Sequence, residues 1–304
     1  MGSPEIAVPS LQALIEGGES IIGIVSQPDR PAGRGQGIAS PPVAQRAREK
    51  KIPLFQPASV KNNQLIKTLN DLRPDLIVVV AYGKILPKEI LDLPPMKCIN
   101  VHFSLLPRYR GAAPVQWSLI NGDEETGVTT LIINEQLDAG PILLQKKTPI
   151  EPEDNVERLS HRLANLGATL LTETISLLKA NDLYPTPQND QEATPAPSLK
   201  KEDGRLDFTQ KAKGLVNQIR GMTPWPGATT SLNGQRLKIF WAEELPRKPQ
   251  GQPGEVVAVG PLGIEVACTG SSLLIKEVQR EGKKRMPAGE FLKGHSLTPG
   301  TILV

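Results

Sequence analysis

Two kinds of apolar pattern run through the first half of this chain. Residues 21–25 and 76–80 are apolar on both faces and read as strands buried inside a sheet, whereas 98–103 alternates, with Asn100 and His102 on one face and Ile99, Val101 and Phe103 on the other. Further strands are expected at 52–55 and 127–133. Between them lie helical segments at about 6–16, 42–50, 62–72 and 115–120, the last opened by Pro114 in its first turn. Val156, Leu159, Leu163, Leu166 and Leu170 recur at steps of three and four and mark a long amphipathic helix, capped by an Asp154/Glu157 box. His161 falls off that stripe and reads as a solvated surface residue. Strands alternating with helices predict a doubly wound, Rossmann-like α/β domain with a mostly parallel sheet.

That sheet reads as lacking its first strand. Gly2, Ser3 and Pro4 have the form of a strand-to-helix turn, with a glycine for the bend, a serine cap and a proline at the first helical position, yet no strand precedes them. Two neighbouring exposed edges in a parallel sheet are costly and prone to aggregation, so a start upstream of Met1 is the preferred expectation, and instability is expected of the chain as written.

After residue 180 the pattern changes. Pro185, Pro187, Pro195 and Pro197 stiffen a polar stretch that reads as a semi-extended linker over 181–199, dividing a domain at 1–180 from one at 200–304. Beyond a helix at 211–220, short strands at 229–232, 237–241, 254–259, 263–267 and 272–278, joined by glycine turns, predict a C-terminal OB-like β-barrel.

Composition adds little except in its distribution. The chain has 304 residues, 38% hydrophobic and 22% charged, with no apolar run long enough to cross a bilayer and no signal segment, so a cytoplasmic protein off the membrane is expected. Cys98 and Cys268 lie far apart without metal-type spacing and read as buried thiols; no metal is expected. Residues 1–204 hold 21 Lys and Arg against 24 Asp and Glu, a net −3, and 205–304 hold 14 against 8, a net +6. The basic C-terminal third suits a polyanionic partner.

The candidate chemistry gathers where the alternating strand ends. Asn100 and His102 sit side by side at the carboxyl end of a strand, the place where open α/β sheets bind ligands. They are followed by Ser104-Leu105-Leu106-Pro107 and by Arg108, Arg110, Gly111, Ala112, Ala113 and Pro114, and the next strand delivers Leu137-Asp138-Ala139-Gly140. These motifs, in this order, resemble the signature of the folate-dependent formyltransferases, and the resemblance runs over nearly the whole chain. It implies that Asn100, His102 and Asp138 are catalytic: an amide donor for the tetrahedral oxyanion, an electrostatic stabiliser or proton shuttle, and a carboxylate that tunes the histidine and the attacking amine.

The resemblance further implies 10-formyltetrahydrofolate as co-substrate, held by Ser104, Leu105, Leu106 and Pro107 together with Tyr82, Gly83, Ile85, Leu86 and Pro87. The implied acceptor is the amino group of the methionine carried by initiator tRNA, and the protein is expected to be a monomer. In the glycine- and arginine-rich loop after residue 25, Arg34 matches the arginine that meets the tRNA acceptor stem, with Arg30 beside it; Lys283, Lys284 and Arg285 could line a phosphate-tracking face of the second domain. A formyltransferase for a small amine, a hydrolase releasing formate from folate, and an RNA-binding protein without catalysis remain as alternatives.

Overall fold

The computed structural model describes residues 1–32 and 37–304. They divide into two compact units, one formed by Met1–Pro114, Glu125–Pro149 and Ser160–Pro197, the other by Val115–Glu124, Ile150–Leu159 and Ser198–Val304.

In the first unit Ile77–Val80 pairs in parallel with Cys98–His102, as the apolar runs predict. The sheet then turns antiparallel: Glu125–Ile132 pairs with Cys98–His102 and Ile142–Pro149 with Glu125–Ile132. The expectation of a mostly parallel sheet is corrected on this side. The last strand is hard to see in the sequence because it is an edge, and its Gln145, Lys146 and Lys147 carry no apolar alternation. The long helix Val156–Lys179 crosses this half of the sheet. Its Gly167 comes so near Val101, Phe103 and Val128 that an added Cβ would lie within 3.0–3.4 Å of their side chains, and Thr174 Oγ1 meets Thr130 Oγ1 at 2.9 Å. Its cap is Asn155, whose side chain accepts the Arg158 N–H, while the Asp154 carboxylate turns back to the Glu151 N–H.

On the other side the sheet is interrupted. Among the described residues Ile24–Val25 pairs in parallel only with Leu54–Phe55, and between this pair and Ile77–Val80 stand just two residues. The Gly2 N–H donates to Val25 O at 3.0 Å and the Val80 N–H to Met1 O at 2.9 Å, while the Met1 amine donates to Val78 O at 2.5 Å. Below them lies a cavity of about 720 Å³ lined by groups such as Leu11, Leu14, Ile22, Leu72 and Val78. The predicted strand at 21–25 is reduced to its last two residues because 21–23 pair with no backbone among the described residues. Among the described residues, Met1 and Gly2 alone stand between the two sets of strands.

The segment expected to be a linker is anchored to the first unit. The Thr186 and Ile142 backbones exchange N–H···O bonds of 2.8 Å, and Pro195–Ala196 pairs in parallel with Arg110–Gly111. In the second unit Ala228–Leu232, Gln235–Leu245, Ser272–Arg280, Gly263–Ala267 and Val256–Gly260 pair antiparallel in that spatial order, and the helix Ala212–Met222 lies against them. No pairing joins the two outer strands into a closed barrel among the described residues. The C-terminal tail lies between the two edges instead. The Leu303 N–H donates to Gly254 O at 2.8 Å on one side, and the Ser231 N–H donates to Val304 O at 2.7 Å on the other.

Cys98 and Cys268 are buried free thiols, and burial pushes both up to about 12, which keeps them protonated.

Candidate active site

Three loops meet at the carboxyl end of Ile77–Val80 and Cys98–His102. The Gln27 side chain donates to Tyr82 O at 3.0 Å, tying the loop after Ile24–Val25 to the one after Ile77–Val80, and Lys88 reaches Glu135 at 3.9 Å on the loop that carries Asp138. Ile85 and Leu137 on these loops stand 73% and 61% exposed, an apolar surface with no partner of its own among the described residues. Tyr82 and Leu86 are buried beneath it, and burial raises the Tyr82 phenol above its ordinary range.

Asn100, His102 and Asp138 converge. The Asn100 amide donates to Asp138 Oδ1 at 3.4 Å, and His102 Nδ1 faces Asp138 Oδ2 at 3.6 Å. His102 Nε2 lies 2.9 Å from Tyr109 O, and since a carbonyl oxygen can only accept, Nε2 carries the hydrogen. In the neutral ring this leaves Nδ1 without a hydrogen, directed at the carboxylate. Only 5% of the histidine side chain and 12% of the Asp138 side chain are exposed, so charge changes here are weakly screened.

Asp138 itself has a left-handed backbone, with φ 50°, on a turn where an aspartate is tolerated. Its Oδ2 accepts the Gly111 N–H at 2.9 Å. Gly111 has φ 131°, and a Cβ there would lie 2.5 Å from Ala196 O, so only glycine brings this N–H to the carboxylate. Gly140, two residues beyond Asp138, is as constrained: a Cβ would lie 1.8 Å from Ile132 O. Gly140→Ala is expected to destabilise the chain by about 1–3 kcal/mol in chemical denaturation and to lower turnover by displacing Asp138.

The turn at 104–107 is built from within. Ser104 is fully buried and donates to Arg108 O at 2.6 Å; Thr129 Oγ1 donates to Ser104 O at 2.7 Å and accepts the Leu106 N–H at 3.1 Å; Gln145 donates to Leu106 O at 2.8 Å. Leu106 is buried, while Leu105 and Pro107 are half-buried. Gly83 has φ 73° and is exposed, and Pro87 leads into the short helix Lys88–Leu91. Thr129 and Gln145 are missing from the residues expected from sequence; the adjacent threonines Thr129 and Thr130 between Val128 and Leu131 are the one signal that could have found the first.

Of the basic residues, Arg30 is exposed on a strand paired with Gly37–Ala39, and Arg34 lies outside the described residues. In the second unit Lys283 and Lys284 are exposed, while Arg285 pairs with Glu277 at 2.5 Å and lies 4.5 Å over the Phe240 ring. No cluster of metal-ligating side chains is found among the described residues, and no helix there is long and apolar enough to cross a membrane.

The formyl transferase family model matches residues 1–175, and that of the formyl transferase C-terminal domain matches 198–296. The chain belongs to the formyl transferase family. Methionyl-tRNA formyltransferase of Citrifermentans bemidjiense is 50% identical to this formyl transferase over 303 residues, covering 100% of it and 95% of the relative. That of Geotalea uraniireducens is 49% identical, covering 100% and 96%. Among solved structures, an N-formyltransferase from Helicobacter canadensis bound to folinic acid and dTDP-3-aminofucose superposes with a TM-score of 0.67 over 92% of this chain and 97% of its own, at 19% identity. The last comparison bears on the fold of this formyl transferase alone.

Proposed function

We propose that the protein transfers the formyl group of 10-formyltetrahydrofolate to the amino group of methionine on initiator tRNA. The observation that carries this is the near 50% identity, over the whole chain, to proteins named methionyl-tRNA formyltransferase. The convergence of Asn100, His102 and Asp138 supports it.

The geometry supports the following chemistry. A C–N bond forms between the methionine amine and the formyl carbon, and the bond from that carbon to the folate nitrogen breaks. The amine gives up a proton, which His102 Nδ1 or the Asp138 carboxylate accepts and returns to the leaving folate nitrogen. Asn100 has two amide hydrogens; one reaches Asp138, and the other is available to the oxyanion of the tetrahedral intermediate. In this reading the exposed Ile85 and Leu137 border the folate, with Tyr82, Gly83, Leu86 and Pro87 behind them and the turn at Ser104, Leu105, Leu106 and Pro107 shaping the pocket. Arg30, Arg34, Lys283, Lys284 and Arg285 meet tRNA phosphates, the second unit serving as an OB-like platform, and the protein works as a cytoplasmic monomer.

Formyl transfer to methionyl initiator tRNA tests the reaction directly; no product above the uncatalysed background would refute it. The tRNA contacts have a separate signature. Affinity for tRNA is expected to fall steeply between 50 and 200 mM salt, by an order of magnitude or more if several phosphates are neutralised. A filter-binding titration across that range checks it.

A further inference from the structure

Asp138 is held at two places, and the two supports meet. Its carboxylate accepts the Gly111 N–H, while its main-chain carbonyl accepts from Gln188 Nε2 at 2.8 Å. The second hydrogen of the same amide reaches Gly140 O at 2.7 Å, so one side chain clamps the turn on both sides of Ala139. The amide oxygen of Gln188 accepts from Arg110 Nε at 3.0 Å and from Arg110 Nη2 at 2.9 Å, and Nη2 also pairs with Asp190 at 2.8 Å. Arg110 immediately precedes Gly111. The contacts therefore close a ring, from the Asp138 carboxylate through Gly111, Arg110 and Gln188 back to the Asp138 carbonyl. Both donors and both acceptor positions of Gln188 are used in it.

We propose that Gln188 is a positioning residue for formyl transfer: it fixes the left-handed turn that aims the Asp138 carboxylate at His102 and Asn100, although it lies in a stretch whose composition reads as a spacer. The proposal rests on the role given to Asp138 above. A non-glycine residue in a left-handed conformation is strained and persists where its surroundings enforce it, and misplacing a reacting group by about 1 Å can cost a hundredfold in rate. Gln188 supplies that enforcement without facing the reacting atoms.

Gln188→Leu opens the ring by removing all four Gln188 contacts, whereas Gln188→Glu keeps an acceptor for Arg110 and sets a carboxylate oxygen against the two carbonyls. The test is steady-state formyl transfer by both variants, each made in the parent chain and in an Asp138→Asn chain, with circular dichroism to confirm folding. Each variant is expected to lower kcat about 10- to 100-fold in the parent, to change KM for folate and for tRNA less than threefold, and to change kcat less than twofold where Asp138 is already replaced. An equal loss in both backgrounds would mean a general structural role and would overturn the proposal, as would parental kcat in Gln188→Glu. Asp138→Asn turning over like the parent would instead refute the role of Asp138. Should Gln188→Leu fail to fold, Gln188→Glu alone decides the matter, because its link to Arg110 is retained.

Discussion

Asp138→Asn is expected to lower kcat for formyl transfer by about a hundredfold to ten-thousandfold, the range associated with loss of a positioned acid–base group. The substitution is nearly isosteric, and an asparagine oxygen can still accept the Gly111 N–H that Asp138 Oδ2 accepts at 2.9 Å. What disappears is the negative charge beside His102 Nδ1. An imidazolium formed at that nitrogen during the reaction would have no counter-charge in a site where His102 is 5% exposed. Asn100→Ala should cost about a hundred- to a thousandfold through the lost oxyanion donor. Steady-state kinetics with unchanged circular dichroism spectra would separate both effects from misfolding.

The second large effect is on stability, and in a protein made to start at Met1 it comes from the Met1 amine. Burial pushes this group down from its ordinary 8.0 to about 6, against a smaller opposing effect from Cys98. The sign follows from proton uptake. In the unfolded chain the amine is protonated below pH 8; in the folded chain it stays neutral down to about 6, so unfolding binds a proton across that window. Stability should therefore be greatest above pH 8 and fall by roughly 2–3 kcal/mol in all as the pH drops from 8 towards 6. Thermal melts at quarter-unit steps would show the slope, and acetylating the amino terminus should remove this part of it. A slope identical in the acetylated chain would assign the pH dependence to other groups.

The two effects differ in how far they could be read in advance. The alternation of Ile99, Asn100, Val101 and His102 places two polar groups on one face at a strand end, and the structure puts them there. That part is legible because it depends on a period of two and on local chain direction. Asp138 is 38 residues from Asn100, and its approach depends on an antiparallel pairing that no local pattern announces. Gly2, Ser3 and Pro4 read as a turn into a helix, but that Met1 and Gly2 pair with Val80 and Val25 is not legible, because such pairing depends on where two distant backbones lie. The prolines of 181–199 describe chain stiffness correctly and miss the anchoring, since a single glutamine that clamps a turn carries no compositional mark. In the second unit, the order of the five main strands is readable, although Gln235–Leu245 runs well past the expected 237–241, and whether the outer strands meet depends on a tail that looks like nothing in particular.

That tail joins the strand edge at Gly254 to the one at Ser231 through only a few backbone bonds. Removing it would uncover two rows of unpaired amides and carbonyls at once, each a template for another molecule's strand. Self-association of a shortened protein, rather than simple loss of heat resistance, is the failure to look for by light scattering. A purification tag fused after Val304 would begin at a carbonyl already engaged by Ser231, so its first residues should be small and extended if they are to follow the path that the pairing sets.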